Sequence, residues 1–220
     1  MKHPTLLIGK MVELNHMPND GSAMLAVFCD LDFEDQAEFR PWLSEDMFPA
    51  RLNIGFQSCA SFNLCQGQGS EFVTLYETPS LGCLYDAPYQ ELRRTRNPRD
   101  TAYHKKFQNP LRYTLSWIGP EISKNERGFA PFLCIERFDP TVESIEEFNA
   151  WFVRKYLPSF LNSGNTVGLR RFIAVEGAHK YFVIQEFLDL ETFRNDIQLN
   201  QKTKFGMNIS GIYQRIIQSP

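Results

Sequence analysis

The sequence is short of nearly every signature that assigns a chemistry on sight. It has no Gly-rich phosphate loop and no HExxH, GxSxG or CxxC motif, so the enzyme classes those motifs mark lose support. Its five cysteines (Cys29, Cys59, Cys65, Cys83 and Cys134) are odd in number and lack paired short spacing. That argues against a disulfide framework or a zinc site and for free, mostly buried thiols in a reducing cytoplasm. Only four histidines occur, His3, His16, His104 and His179, at the terminus or in turns and away from metal-ligand spacing. No metal and no cofactor are expected. No stretch approaches the roughly 18 apolar residues a membrane span requires. The run Leu6–Ile8 is broken by Gly9 and Lys10, too soon for a signal peptide. A soluble cytoplasmic protein without membrane partners is the expectation. Charge of one sign is missing too: a net charge of -3 and a pI near 5.8 give no general attraction to nucleic acid.

What the chain does have is a core. Hydrophobic residues make up 43% of 220, charged ones 22%, and 19 are Phe, a composition that folds. The length suits two domains of about 100 residues each.

It also has an internal repeat at an offset of 109 residues. Glu38-Phe39-Arg40-Pro41-Trp42-Leu43 matches Glu147-Phe148-Asn149-Ala150-Trp151-Phe152, Pro49 falls on Pro158, and Phe72–Glu77 falls on Tyr181–Glu186. The first strands, Leu25–Cys29 and Phe132–Glu136, align only after a shift of two. Each copy reads as strand, helix, strand, strand, helix, strand. The first helix has Asp32 or Asp35 as N-cap in one copy and Thr141 or Ser144 in the other, where Ser144–Glu147 forms a capping-box pattern. Phe39, Leu43 and Met47, or Phe148, Phe152 and Tyr156, form its buried stripe, and Pro49 or Pro158 should kink or stop it. Hairpins follow (Phe56–Cys65 with Phe72–Glu77; Val167–Val175 with Tyr181–Phe187), then a second helix (Leu81–Arg94; Leu190–Leu199) and a closing strand (Leu111–Ile118; Asn208–Ile217).

This is the ferredoxin-like βαββαβ order. Continuous apolar runs such as Met24–Cys29 and Tyr181–Ile184 imply strands buried on both faces. The expected fold is therefore α+β: two tandem ferredoxin-like repeats packed sheet to sheet as an intrachain α/β barrel. The boundaries are an N-terminal arm over 1–22, repeat 1 over 23–119, a linker over 120–130 and repeat 2 over 131–220. Within the arm, Leu6–Leu14 reads as an edge strand and Asn15–Gly21 as a linker.

The segments Glu147-Phe148 through Trp151, Tyr156-Leu157-Pro158-Ser159-Phe160-Leu161 and Arg171-Phe172 resemble the dimeric α/β-barrel superfamily, which includes EthD-like proteins and antibiotic-biosynthesis monooxygenases. In the first copy Ala87–Leu92 and Asn97-Pro98 resemble its second helix and the exit from it. The resemblance implies a small-molecule ligand, chemistry by proton transfer or cofactor-independent oxygenation, and self-association as a homodimer. Where relatives with a histidine in the "HLP" segment would carry it, this chain has Met47 and Tyr156.

Strand parity proposes the ligand-facing side chains. Val73, Leu75, Phe182 and Ile184 are uniformly apolar and are assigned to the helices. The lumen then receives Ser61, Asn63, Thr74, Tyr76, Arg170, Tyr181 and Gln185. In the first strands either Glu136 points inward with Cys134, or Asp30 and Arg137 do. Glu136, Tyr76 and Arg170 are the candidate catalytic residues, since a carboxylate in an apolar barrel has a raised pKa and can serve as acid or base. The basic island Arg93–Arg99 with His104–Lys106 is either an anion site or a solvated helix end. A second functional class, a binding or structural protein with a filled lumen, competes with the enzyme. A lumen packed solid with Phe and Tyr side chains would sink the enzyme reading.

Overall fold

A computed structural model describes residues 22–119, 122–123, 128–163, 167–191, 205 and 208–219. The apolar runs form strands β1 (Ala23–Asp30), β2 (Ser58–Gly67), β3 (Phe72–Thr78), β4 (Gln108–Trp117), β5 (Ile122–Ser123), β6 (Phe132–Phe138), β7 (Gly168–Glu176), β8 (Tyr181–Phe187) and β9 (Asn208–Gln218). Hydrogen-bonded neighbours run β4-β1-β3-β2-β9-β6-β8-β7, all antiparallel, and β7 returns to β4. Eight strands therefore close into a barrel, which removes free sheet edges. The short β5 pairs with the start of β7, so part of the expected linker is sheet.

Both halves contribute their strands in the order fourth, first, third, second, and they join at β2–β9 and β4–β7. The pairing Ala23↔Thr78 in one half corresponds to Phe132↔Phe187 in the other. The first strands thus obey the 109-residue offset, and the expected shift of two is wrong. The slip lies in the second strands instead. Thr74 pairs with Ser61, while its counterpart Val183 pairs with Arg171, so Ser61 corresponds to Arg171 and not to Arg170.

Helices pack outside the barrel. Helix α1 (Phe33–Trp42) runs through a π-helical turn, Leu43–Met47, into α2 (Phe48–Leu52). In the second half α5 (Ile145–Trp151) runs through a π-helical turn, Phe152–Tyr156, into α6 (Leu157–Ser163). Pro49 and Pro158 do not stop these helices. A proline ring presses on the carbonyl four residues back and offers no N–H, and the wide turn just before it absorbs both effects. The expected capping box does not form either: Ser144 is already helical and its hydroxyl turns back to the Thr141 carbonyl at 3.1 Å. Asp32 occupies the N-cap position of α1, but its carboxylate accepts from Gln108 at 2.7 Å. The expected helix Leu81–Arg94 divides into a 3-10 turn, Leu81–Leu84, and α3 (Ala87–Arg94). Asn97-Pro98 then opens a further helix, α4 (Pro98–His104), with Asn97 as its cap. The arm segments Leu6–Leu14 and Asn15–Gly21, and most of the expected helix Leu190–Leu199, lie outside the described residues.

Three main apolar clusters follow. One fills the barrel and draws on both halves. A second joins β1 and β3 to α1, α2, α3 and α4, and a third joins β6, β7 and β8 to α5 and the π turn after it. Each fully buried Phe contributes roughly 1.5–3 kcal/mol of transfer free energy. Among the described residues no helix is long and apolar enough to cross a membrane.

Candidate functional site at the barrel mouth

The barrel interior is packed. Phe28, Phe62, Tyr113, Phe129, Phe172, Phe182 and Tyr213 all point into it and are at most 3% exposed. Rings meet edge to face, as Tyr113 does with Phe182 at 4.7 Å and with Phe28 at 5.7 Å. A space so filled leaves no room for a ligand, so the expected enzyme with its site in the lumen is overturned. Charged groups occur at its two ends.

At one end Arg170 lies between Glu77, which it bonds directly, and Glu186 at 3.1 Å. Ser58 donates to Glu77, the Ala130 N–H donates to Glu186 at 2.7 Å, and the guanidinium lies over Phe129 at 4.6 Å. All three charged residues are buried. A buried ion cluster of this kind is stable only when its members satisfy one another. Here the ion pairs join β3 of one half to β7 and β8 of the other.

The opposite end opens into a cavity of about 330 Å³ lined by Asp30, Gln68, Gly69, Ser70, Leu111, Arg137, His179 and Ile209. Phe28, Tyr113 and Tyr213 lie beneath it. Arg137 is 3% exposed and its guanidinium rests on the Phe28 ring at 4.7 Å. Among the described residues its Nη1 has no hydrogen-bond partner. His179, in the β7–β8 turn, shares a hydrogen bond of 2.8 Å between its Nδ1 and the Tyr113 hydroxyl. Burial and then the Arg137 charge lower the His179 pKa from 6.5, with Asp139 opposing. The imidazole is therefore neutral at pH 7 and able to accept a proton. Burial pushes the Tyr213 hydroxyl up to about 12, and it donates to the Ser70 carbonyl at 3.4 Å. Gly69 adopts φ +146°, and a Cβ there would collide with the Tyr213 hydroxyl and stand 3.3 Å from Nη2 of Arg137. Only glycine keeps the approach to the guanidinium clear.

No family model matches the sequence, and no curated protein matches it. Solved structures do match its shape. An anthrone oxidase-like protein superposes with a TM-score of 0.62 at 9% identity, covering 91% of this chain and 93% of that one. A Lactobacillus acidophilus protein provisionally classed as a monooxygenase gives 0.57 at 9% identity, with 90% and 96% covered. A variant of the chlorite dismutase of Candidatus Nitrospira defluvii gives 0.56 at 12% identity, with 89% and 92% covered. The chain has the dimeric α/β-barrel fold.

On this α/β barrel the expected inward and outward faces exchange places. Val73, Leu75, Phe182 and Ile184 line the lumen. Ser61, Thr74, Tyr76, Tyr181 and Gln185 turn out towards the helices, and Asn63 follows Ser61 by strand parity. Ser61 and Thr74 satisfy each other at 3.0 Å. Asn63 donates to the Glu71 carbonyl at 3.4 Å. Tyr76 packs among Phe48, Phe56 and Arg51, and Tyr181 against Phe148 at 4.9 Å. Gln185 donates to Glu136 at 2.9 Å and to the Tyr156 hydroxyl at 2.7 Å, which brings Glu136 together with the π turn on the helix side. Of the expected set only Arg170 faces the lumen, where two carboxylates hold it. Of the two alternatives for the first strands, Asp30 and Arg137 point inward. The basic island is largely paired: Arg94 with Glu91, Arg99 with Glu45 and Asp46, and Lys106 with Asp35.

The sequence marks Arg137, Asp30 and His179 singly and Gly69 as a turn glycine, and nothing in it singles out Tyr113, Tyr213 or Ser70. These residues come from four strands and two turns. The local signal is the charged pair Glu136-Arg137 inside the otherwise apolar strand Phe132–Phe138, of which Arg137 turns to the lumen. Among the described residues no group of three or more metal-ligating side chains gathers.

Proposed function

We propose that this protein binds a small organic molecule in the barrel mouth and that the His179–Tyr113 pair serves proton transfer there. The observation that carries the reading is a cavity of about 330 Å³ whose lining includes Arg137, a buried arginine to which no carboxylate is bonded among the described residues. That volume is at the small end of ligand sites, and its mix of apolar wall and few polar groups is the usual one. Neutral His179 would take a proton from an acidic C–H or O–H of the ligand, and Arg137 would stabilise the anion so formed. An apolar or aromatic substrate and cofactor-independent reaction of that anion with dioxygen are what the superfamily resemblance implies; the names of the anthrone oxidase-like protein and the classed monooxygenase accord with oxidation alone. We further read the two halves, 23–119 and 131–220, as tandem ferredoxin-like repeats. Their matching strand order and shared 109-residue pairing offset support this.

A second reading, ligand binding without turnover, is favoured by the packed lumen, which confines any ligand to the mouth. Native mass spectrometry of the purified protein tests the site: a co-purified small molecule should be present in the wild type and lost in Arg137→Gln. With that molecule in hand, turnover that disappears in His179→Gln while binding persists supports the enzyme. Binding with no turnover in the wild type supports the second reading.

A further inference from the structure

Three arginines in the second half's strands are 3–4% exposed, and among the described residues Arg137 alone of the three has no hydrogen-bond or carboxylate partner. Arg170 has Glu77 and Glu186. Arg171 bonds Asn149 and lies over Phe152 at 4.2 Å. Arg137 has the Phe28 face and, among the described residues, no carboxylate within 4.0 Å of it. A guanidinium stays charged at every accessible pH, so deprotonation offers no escape. Asp30 is the acidic residue in the cavity lining, and both its oxygens are engaged, one by the Glu71 N–H at 2.7 Å and the other by Asn109 at 2.9 Å. The fold thus holds a buried cation that no carboxylate touches among the described residues, beside a cavity that also carries Asp30, and Gly69 leaves the approach to the guanidinium clear.

We propose that the mouth takes a compact organic anion, a planar carboxylate or enolate on an apolar body, with its oxygens on the Arg137 guanidinium. This rests on the mouth being the ligand site and adds the ligand's class. A planar fork of N–H donors matches a planar oxyanion in two-point contact. Leu111 and Ile209 offer the apolar body a wall, and Gln68 and Ser70 supply polar groups at the rim. The cavity limits that body to roughly one ring or a short chain.

The test is titration of the full chain with benzoate, phenylacetate and hexanoate, each against its primary amide, followed by calorimetry and thermal unfolding. The acids should bind at least about tenfold more tightly than the amides and raise Tm by about 2–4 °C near saturation. Arg137→Met should abolish that preference while raising the Tm of the ligand-free protein by about 2–4 °C, because it removes an uncompensated buried charge. A merely structural arginine would do the opposite, so a lowered Tm in Arg137→Met overturns the proposal. Equal binding of acids and amides, lost when Gly69→Leu fills the cavity, overturns the anionic class and leaves the mouth as the ligand site. No binding by any of the three acids also overturns it. If native mass spectrometry then finds no co-purified molecule either, the ligand-site reading falls with it.

Discussion

Arg170 and His179 show how burial sets the behaviour of single residues here. Arg170 is the cation between two carboxylates that are 1% and 3% exposed. Arg170→Ala would leave both without their cation in a medium that solvates them poorly. We expect it to lower the unfolding free energy by about 3–5 kcal/mol, measured by urea unfolding at neutral pH. His179 behaves in the opposite sense. Its folded pKa lies below the unfolded value of 6.5, so the unfolded chain takes up the proton first as pH falls. The stability due to neutral His179 is complete above about pH 6.5 and declines as pH drops towards the folded pKa. His179→Gln should flatten the fall in urea midpoint between about pH 7.5 and 5.5 relative to the wild type. An unchanged slope would mean that burial and Arg137 do not act on this imidazole.

At the scale of elements, two devices were hidden in the sequence. The π turns at Leu43–Met47 and Phe152–Tyr156 occupy equivalent positions in the two halves, each two residues before a proline. Sequence pattern shows the proline but not whether the helix ends or widens, because that depends on what the wide turn packs against. The second device is the start of α4. The Asn97 side chain accepts the Asp100 N–H at 2.7 Å and donates to Asp46 at 3.0 Å, tying α4 to the first π turn. Asn97→Ala removes a cap and an inter-element bond. It should cost about 1 kcal/mol, read as a Tm lower by about 2–4 °C. The exposed ion pairs of Arg99 nearby contribute little by comparison.

For the whole molecule, closure is what matters. Neither half has its own inner core, since one cluster takes Phe28 and Leu75 from the first and Ile135 and Phe182 from the second. Strand joints β2–β9 and β4–β7 and the Glu77–Arg170 pair cross the same boundary. The two halves should therefore unfold together. Scanning calorimetry should give one transition with calorimetric and van't Hoff enthalpies in agreement. Two separable transitions would mean that the repeats are independent domains.

The sequence by itself determined the order of elements, the near-register of the two halves and the existence of strands buried on both sides. Those properties are local: apolar runs, turn residues and a shared offset are written along the chain. Which face of each strand turned inward was decided only by tertiary structure. A strand buried on both faces carries no alternation to mark its sides, and polar groups such as Ser61, Thr74 and Gln185 satisfy one another beneath the helices as readily as in a lumen. The mouth site was beyond reach for the same reason. Arg137, His179, Tyr113 and Gly69 stand on separate strands and turns, and closing the barrel is what brings them together.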